Sequence, residues 1–149
     1  MDWSILNGKY YEELNIGDTG YFTKTITHAD IVMFAGLSGD TNPVHLNEEY
    51  AATTMFKHRI AHGMLSGGFI SAAFGRDMPG VGCIYVQQIM NFKAPVYVND
   101  TVVAKVTLLE KTNDKKGFTK WNTVCTVGDK VILDGEAVIM VPLKSRVKG

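Results

Sequence analysis

The stretch Met64-Leu65-Ser66-Gly67-Gly68-Phe69-Ile70-Ser71-Ala72-Ala73-Phe74-Gly75 carries no charge over twelve residues. At helical spacing Met64, Gly68 and Ala72 share one face, and Leu65, Phe69, Ala72 and Ala73 share another. A helix apolar all round is a buried helix. Gly67 and Gly68 each cost about 1 kcal/mol relative to Ala in a helix interior. Close approach of another backbone or of a ligand would offset that cost. The chain must therefore build a cover around this helix, and its second half supplies one. Ile84, Val86, Met90 and Phe92 alternate, as do Val102, Ala104, Val106 and Leu108. Trp121, Thr123, Cys125 and Val127 follow, then Val131, Leu133, Gly135, Ala137, Ile139 and Val141. The turns Asn113-Asp114-Lys115-Lys116-Gly117 and Gly128-Asp129 punctuate them. Sequential hairpins imply an antiparallel sheet with one covered face. The expected class is α+β, a sheet wrapped around one buried helix.

The length of 149 residues suits one domain with a single core, spanning residues 1–149. Fifteen basic and fifteen acidic residues cancel. That balance gives no pull toward nucleic acid or an anionic membrane, and it weakly favours self-association. The apolar run is too short and too rich in Gly to cross a bilayer. Met1-Asp2-Trp3-Ser4 lacks a basic patch ahead of an apolar core, so no signal peptide is expected. Cys83 and Cys125 form no CxxC pair and read as reduced thiols of a cytoplasmic protein.

Upstream of the apolar run, residues 19–26 read as a strand. Thr27 and Asp30 have the spacing of a capping box, and Ile31, Phe34 and Ala35 continue as a helix. Gly39 is placed to end it in the left-handed region. Residues 40–45 then read as a loop, since Pro43 biases Asn42 away from helix. Asn47 is a second N-cap candidate, opening a short helix with Glu48 and Glu49 in its first turn.

Chemistry concentrates in Ser38-Gly39-Asp40-Thr41-Asn42-Pro43-Val44-His45, followed seventeen residues later by His62-Gly63-Met64. Asp40 and His45 supply a carboxylate and an imidazole that can share work on one water. An Asx turn at Asp40 and a surface histidine would use the same residues. Gly63 stands where the buried helix begins, so its N–H lacks an intrahelical partner and sits at the positive helix end. An oxygen gaining negative charge would be stabilised there. Ser66 and Ser71 read as buried hydroxyls bonded back to the helix. Neither has the Gly-x-Ser-x-Gly elbow of a serine nucleophile. His58 and His62 are four apart, but no His-Glu-x-x-His pattern or cysteine partner accompanies them, and no metal is expected. Lys57 and Arg59 flank His58 in what reads as a solvated turn, with a phosphate contact as the alternative.

The Asp40-to-His45 block, His62-Gly63-Met64, and Phe92-Lys93-Ala94-Pro95-Val96 with Asn99-Asp100 resemble the MaoC-like dehydratases. Within them the R-specific enoyl-CoA hydratases, or hydratase 2, are the nearest branch. The likeness runs from about residue 17 to 141. It implies a hotdog fold paired as a homodimer. It also implies reversible syn hydration of a trans-2-enoyl-CoA to the (R)-3-hydroxyacyl-CoA, without cofactor or metal. The family's catalytic pair falls on Asp40 and His45, its backbone oxyanion donor on Gly63, and its substrate-side serine on Ser71. Asn42, between the pair, would fix the loop. Asn99 stands where the family usually has Gly; Asn also tolerates a left-handed turn.

Two other readings share the fold: a hotdog acyl-CoA thioesterase, and a catalytically silent acyl-binding protein. The expected partner in each case is a thioester of CoA or of acyl carrier protein.

Overall fold

The computed structural model of the protein describes residues 1–147, so the expected domain end at residue 149 lies outside the described residues. The elements are β1 (Thr19–Thr25), α1 (His28–Ser38), α2 (Pro43–Leu46), α3 (Glu48–Ala52), α4 (Gly63–Ala72), β2 (Ile84–Phe92), β3 (Thr101–Asn113), β4 (Phe118–Val127), β5 (Lys130–Met140) and α5 (Lys144–Val147). A π-helical turn, Ala73–Asp77, continues α4. The five strands form one antiparallel sheet in the order β1-β3-β4-β5-β2. It curves around α4, as the hotdog arrangement requires.

The alternation expected for β3 and β4 is realised. Val102, Ala104, Val106 and Leu108 face inward from β3, and Trp121 and Cys125 from β4. Phe69, Ile70, Ala73 and Phe74 meet them from the helical side. Phe74 packs edge-on against Trp121, with ring centroids 5.4 Å apart. Three polar groups enter this core already bonded. The Trp121 indole N–H donates to Thr119 Oγ1, and the Thr119 hydroxyl donates to Ile139 O, both at 2.7 Å. Gln88 Nε2 donates to Thr123 Oγ1 at 2.9 Å. Buried polar groups paired in this way avoid the desolvation penalty.

The local signals before α4 act as read. The Thr27 side chain accepts from Asp30 N–H, and Asp30 accepts from Thr27 N–H. Gly39 takes φ 79° and closes α1. Asn47 caps α3, and Asn99 takes φ 74°.

Three expectations change. Residues 43–46 form the helical turn α2, so His45 sits on a helix rather than in a loop. The helix α4 is buried on one side only: Phe69 and Ile70 are inside, whereas Met64, Gly68 and Ser71 are exposed. The strand β2 carries apolar residues but is largely exposed, because it is the sheet's edge. A bulge between Tyr85 and Gln87 also shifts its register on β5, moving Tyr85 and Gln88 to the face that covers α4.

Side chains of β2 explain two of the helix glycines, Gly63 and Gly67. A Cβ on Gly63 would lie 2.7 Å from the Phe92 ring, and one on Gly67 would lie 2.9 Å from Met90 Sδ. Four helix residues rise about 6 Å, and two strand residues rise about 6.6 Å. The spacings match, so alternate β2 side chains drop onto α4 one turn apart. Gly68 has nothing close, so close approach does not account for it.

Candidate active site

The end of α1 delivers Asp40. Ser38 Oγ donates back to Phe34 O at 2.7 Å and accepts from Asp40 N–H at 3.1 Å. Asp40 Oδ1 accepts from Asn42 N–H at 3.2 Å, an Asx turn. Asn42 Oδ1 accepts from Val44 N–H at 3.1 Å and caps α2. Pro43 stands at the first helical positions, where its missing N–H costs nothing. Asn42 therefore orients the loop by its backbone and its side chain together.

One turn of α2 turns His45 inward, leaving it 8% exposed. Its Nδ1 lies 2.7 Å from Ile60 O. A carbonyl oxygen can only accept, so this bond assigns the proton to Nδ1 and leaves a lone pair on Nε2. Ile60 N–H donates in return to Val44 O at 3.2 Å, clamping α2 to residue 60. His45 Nε2 faces Asp40 Oδ2 at 3.8 Å. That is too long for a direct hydrogen bond, and it leaves both acceptors within reach of one water placed beside the line joining them. The Asp40 carboxylate stays half exposed.

His62 completes the cluster. Its Nε2 donates to the Asp40 carbonyl at 2.9 Å. Its ring stacks on His45, centroids 3.8 Å apart, and meets Phe34 at 4.8 Å. It is 2% exposed, and its Nδ1 has no hydrogen-bond partner among the described residues. Asp40, His45 and His62 hold ligand-capable atoms within 4.8 Å of one another. Metal ligation needs in-plane lone pairs that converge; the stacked imidazoles lie 27° from parallel, which sets their ring planes side by side. His58, the other half of the four-residue spacing, is exposed and bonded to Glu48 Oε1 at 2.6 Å. That bond and the Arg59 N–H hold the Glu48 carboxyl below its usual range.

Gly63 is the first residue of α4, with His62 as its N-cap. Its N–H has no carbonyl to bond within the helix. Gly63 lines a cavity of about 540 Å³ together with Met55, Phe56, Ile60, Met64, Phe92 and Val96, and with the polar His62, Ser66 and Lys93. A mostly apolar pocket with a few polar groups is the usual form of a small-molecule site.

Arg59 is not a solvated turn residue. Its Nε lies 3.4 Å from Glu48 Oε2, and Nη1 reaches His28 Nδ1 at 3.1 Å and His45 O at 3.4 Å. It ties α3 to the C-terminal end of α2. Ser66 is buried and lines the cavity, whereas Ser71, expected to be buried with it, is exposed two turns beyond Gly63. Ser66, expected only as a helix hydroxyl, and Phe92, expected only as part of a family motif and a strand, both line the cavity and were not among the expected site residues. The match between helix glycines and alternate β2 residues was the signal for Phe92. Cys125 is no nucleophile: burial pushes its thiol up to about 12, and it donates to Ser66 O at 3.7 Å.

Comparison with known proteins shows the family and the fold. The model of the MaoC like domain matches residues 15–130. The chain is 54% identical to a curated (R)-specific enoyl-CoA hydratase from Rhodospirillum rubrum, over 91% of this chain and 93% of that one. It is 44% identical to a 3-hydroxybutyryl-CoA dehydratase of Methylorubrum extorquens, over 91% of this chain and 85% of that one. Its structure superposes on the unliganded R-hydratase of Pseudomonas aeruginosa with TM-score 0.87 and 43% identity, covering 93% of this chain and 89% of that chain. The Asp40–His45 pair, the helix start at Gly63 and the wrapped sheet thus occur together in a chain that belongs to the MaoC-like family.

Proposed function

We propose that the protein is an R-specific enoyl-CoA hydratase, a hydro-lyase that adds water reversibly to a trans-2-enoyl thioester. One observation carries the reading: His45 Nε2 and Asp40 Oδ2 stand 3.8 Å apart, His45 Nδ1 held by Ile60 O, beside an apolar cavity that opens at the N-terminus of α4. A water between the two acceptors gives a proton to the pair as its oxygen bonds the β-carbon. The electrons pass to the thioester oxygen, where the Gly63 N–H and the helix dipole stabilise the enolate. The pair then returns the proton to the α-carbon. Water and proton come from one side, so addition is syn. The step exchanges water and protons without electron transfer.

Substrates fit as thioesters of CoA or of acyl carrier protein. An acyl chain running along α4 from Gly63 reaches Ser71 after eight residues of rise, about 12 Å. We place Ser71 at that distal end as a substrate contact. We also propose a homodimer, the chain acting as one MaoC-like domain per protomer. The outer edge of β2 has no strand beside it among the described residues, and Ile84, Val86, Ile89 and Phe92 are exposed along it. A second β2 would pair that edge and cover the open side of α4. Sedimentation should give twice the 16.4 kDa protomer mass; a monomer at micromolar concentration would refute the pairing. The reduced cysteines support a cytoplasmic location. No helix among the described residues is long and apolar enough to cross a membrane.

The deciding assay follows purified protein with crotonyl-CoA. Loss of the enoyl absorbance without free thiol is the expected result. Thiol release would make the protein a thioesterase, and no change across chain lengths would make it a silent acyl binder.

A further inference from the structure

We infer that His62 is a positioning residue that locks the Asp40–His45 pair to the oxyanion end of α4. The inference rests on the hydratase reading and deepens it. Asp40 is held on three sides. Its N–H donates to Ser38 Oγ, its Oδ1 accepts from Asn42 N–H, and its carbonyl accepts from His62 Nε2 at 2.9 Å. The first two bonds are local and move with the loop. The third crosses twenty-two residues to the helix bearing the oxyanion donor. His62 is itself the N-cap of α4, one residue before Gly63. One side chain therefore sets where the carboxylate stands relative to the Gly63 N–H.

The ring does a second task. Stacked 3.8 Å from His45, it fills the space into which His45 could tilt. His45 is already held at Nδ1 by Ile60 O, and the stack fixes the rotation that remains about that bond. His62 is also unsuited to exchanging the proton itself. Its Nε2–H is committed to a backbone carbonyl, and its Nδ1 is buried without a partner among the described residues. An imidazole kept dry with one nitrogen unpaired is an expensive arrangement, and the Asp40 bond and the stack offset it. Catalytic pairs lose rate steeply when misplaced by about 1 Å, so this lock should appear in kcat.

Two substitutions separate geometry from bulk structure. His62→Leu removes the donor, whereas His62→Gln keeps an N–H at a reach similar to Nε2. In the full-length protein with crotonyl-CoA, the leucine variant should lose about 10–100-fold in kcat with KM within about threefold. The glutamine variant should keep at least roughly a fifth of kcat. A leucine variant with wild-type kcat overturns the inference, as does a glutamine variant below that fifth. If the leucine variant does not fold, the glutamine result decides alone. A readout independent of turnover is amide exchange at Asn42 and Val44, whose N–H groups bond within the Asp40 loop. Exchange should quicken in His62→Leu and stay near wild type in His62→Gln; unchanged exchange in a folded leucine variant also overturns the lock. Wild-type protein inert toward crotonyl-CoA would instead count against the hydratase reading, and the exchange data would still test the lock.

Discussion

Asp40→Asn should lower kcat for crotonyl-CoA hydration by about 10²–10⁴-fold, the usual contribution of a positioned acid or base. Asparagine is nearly isosteric and keeps a carbonyl oxygen for the Asn42 N–H, so the Asx turn at 3.2 Å survives. What it loses is the second acceptor facing His45 Nε2 at 3.8 Å. An amide nitrogen there would donate to the His45 lone pair and displace the shared water. The carboxylate is half exposed and lies on a loop, so the variant should melt within a few degrees of wild type. Stopped-flow or steady-state absorbance measures the rate, and circular dichroism checks the fold. A folded Asn variant retaining a third or more of wild-type kcat would remove Asp40 from the chemistry.

The largest stability effect should come from the core rather than from the site. Trp121 is fully buried in β4, edge-on to Phe74, with its indole N–H bonded to Thr119 Oγ1. Trp121→Ala should cost about 3–5 kcal/mol, since the transfer and cavity terms add. For a chain of this size that is a fall of roughly 6–20 °C in Tm. Thr119 keeps its bond to Ile139 O, so no new unpaired group adds to the loss. Thermal melting with reversible denaturant titration measures it. A change below about 1 kcal/mol would mean that the sheet and helix do not close on this residue.

Much of this was readable residue by residue. The caps at Thr27 and Asn47, the left-handed Gly39 and the inward residues of β3 and β4 followed from local chemistry and period-two burial. The antiparallel class followed from the hairpins. The Asp40–His45 pair was legible as residue types in a motif, with Asn42 between them. The helical turn carrying His45 was not, because four residues opened by Asn-Pro read equally well as a loop. The exposure of Ser71 and of the far face of α4 also escaped. Apolar composition says that a face will be covered but not by which partner, and the cover we propose for that face is a second chain.

What the sequence determined by itself is what local rules and period can carry: which segments are helix or strand, which faces are apolar, and which residue types share a short motif. Only the tertiary structure decided how residues far apart in sequence meet. It brought Ile60 O to His45 Nδ1, which fixes the tautomer, and His62 to the Asp40 carbonyl across the start of α4. It also set Phe92 and Met90 onto Gly63 and Gly67, through the bulge and edge position of β2. These contacts depend on register and crossing distance between elements. Those are set when the whole core packs at once, and no window of neighbouring residues contains them.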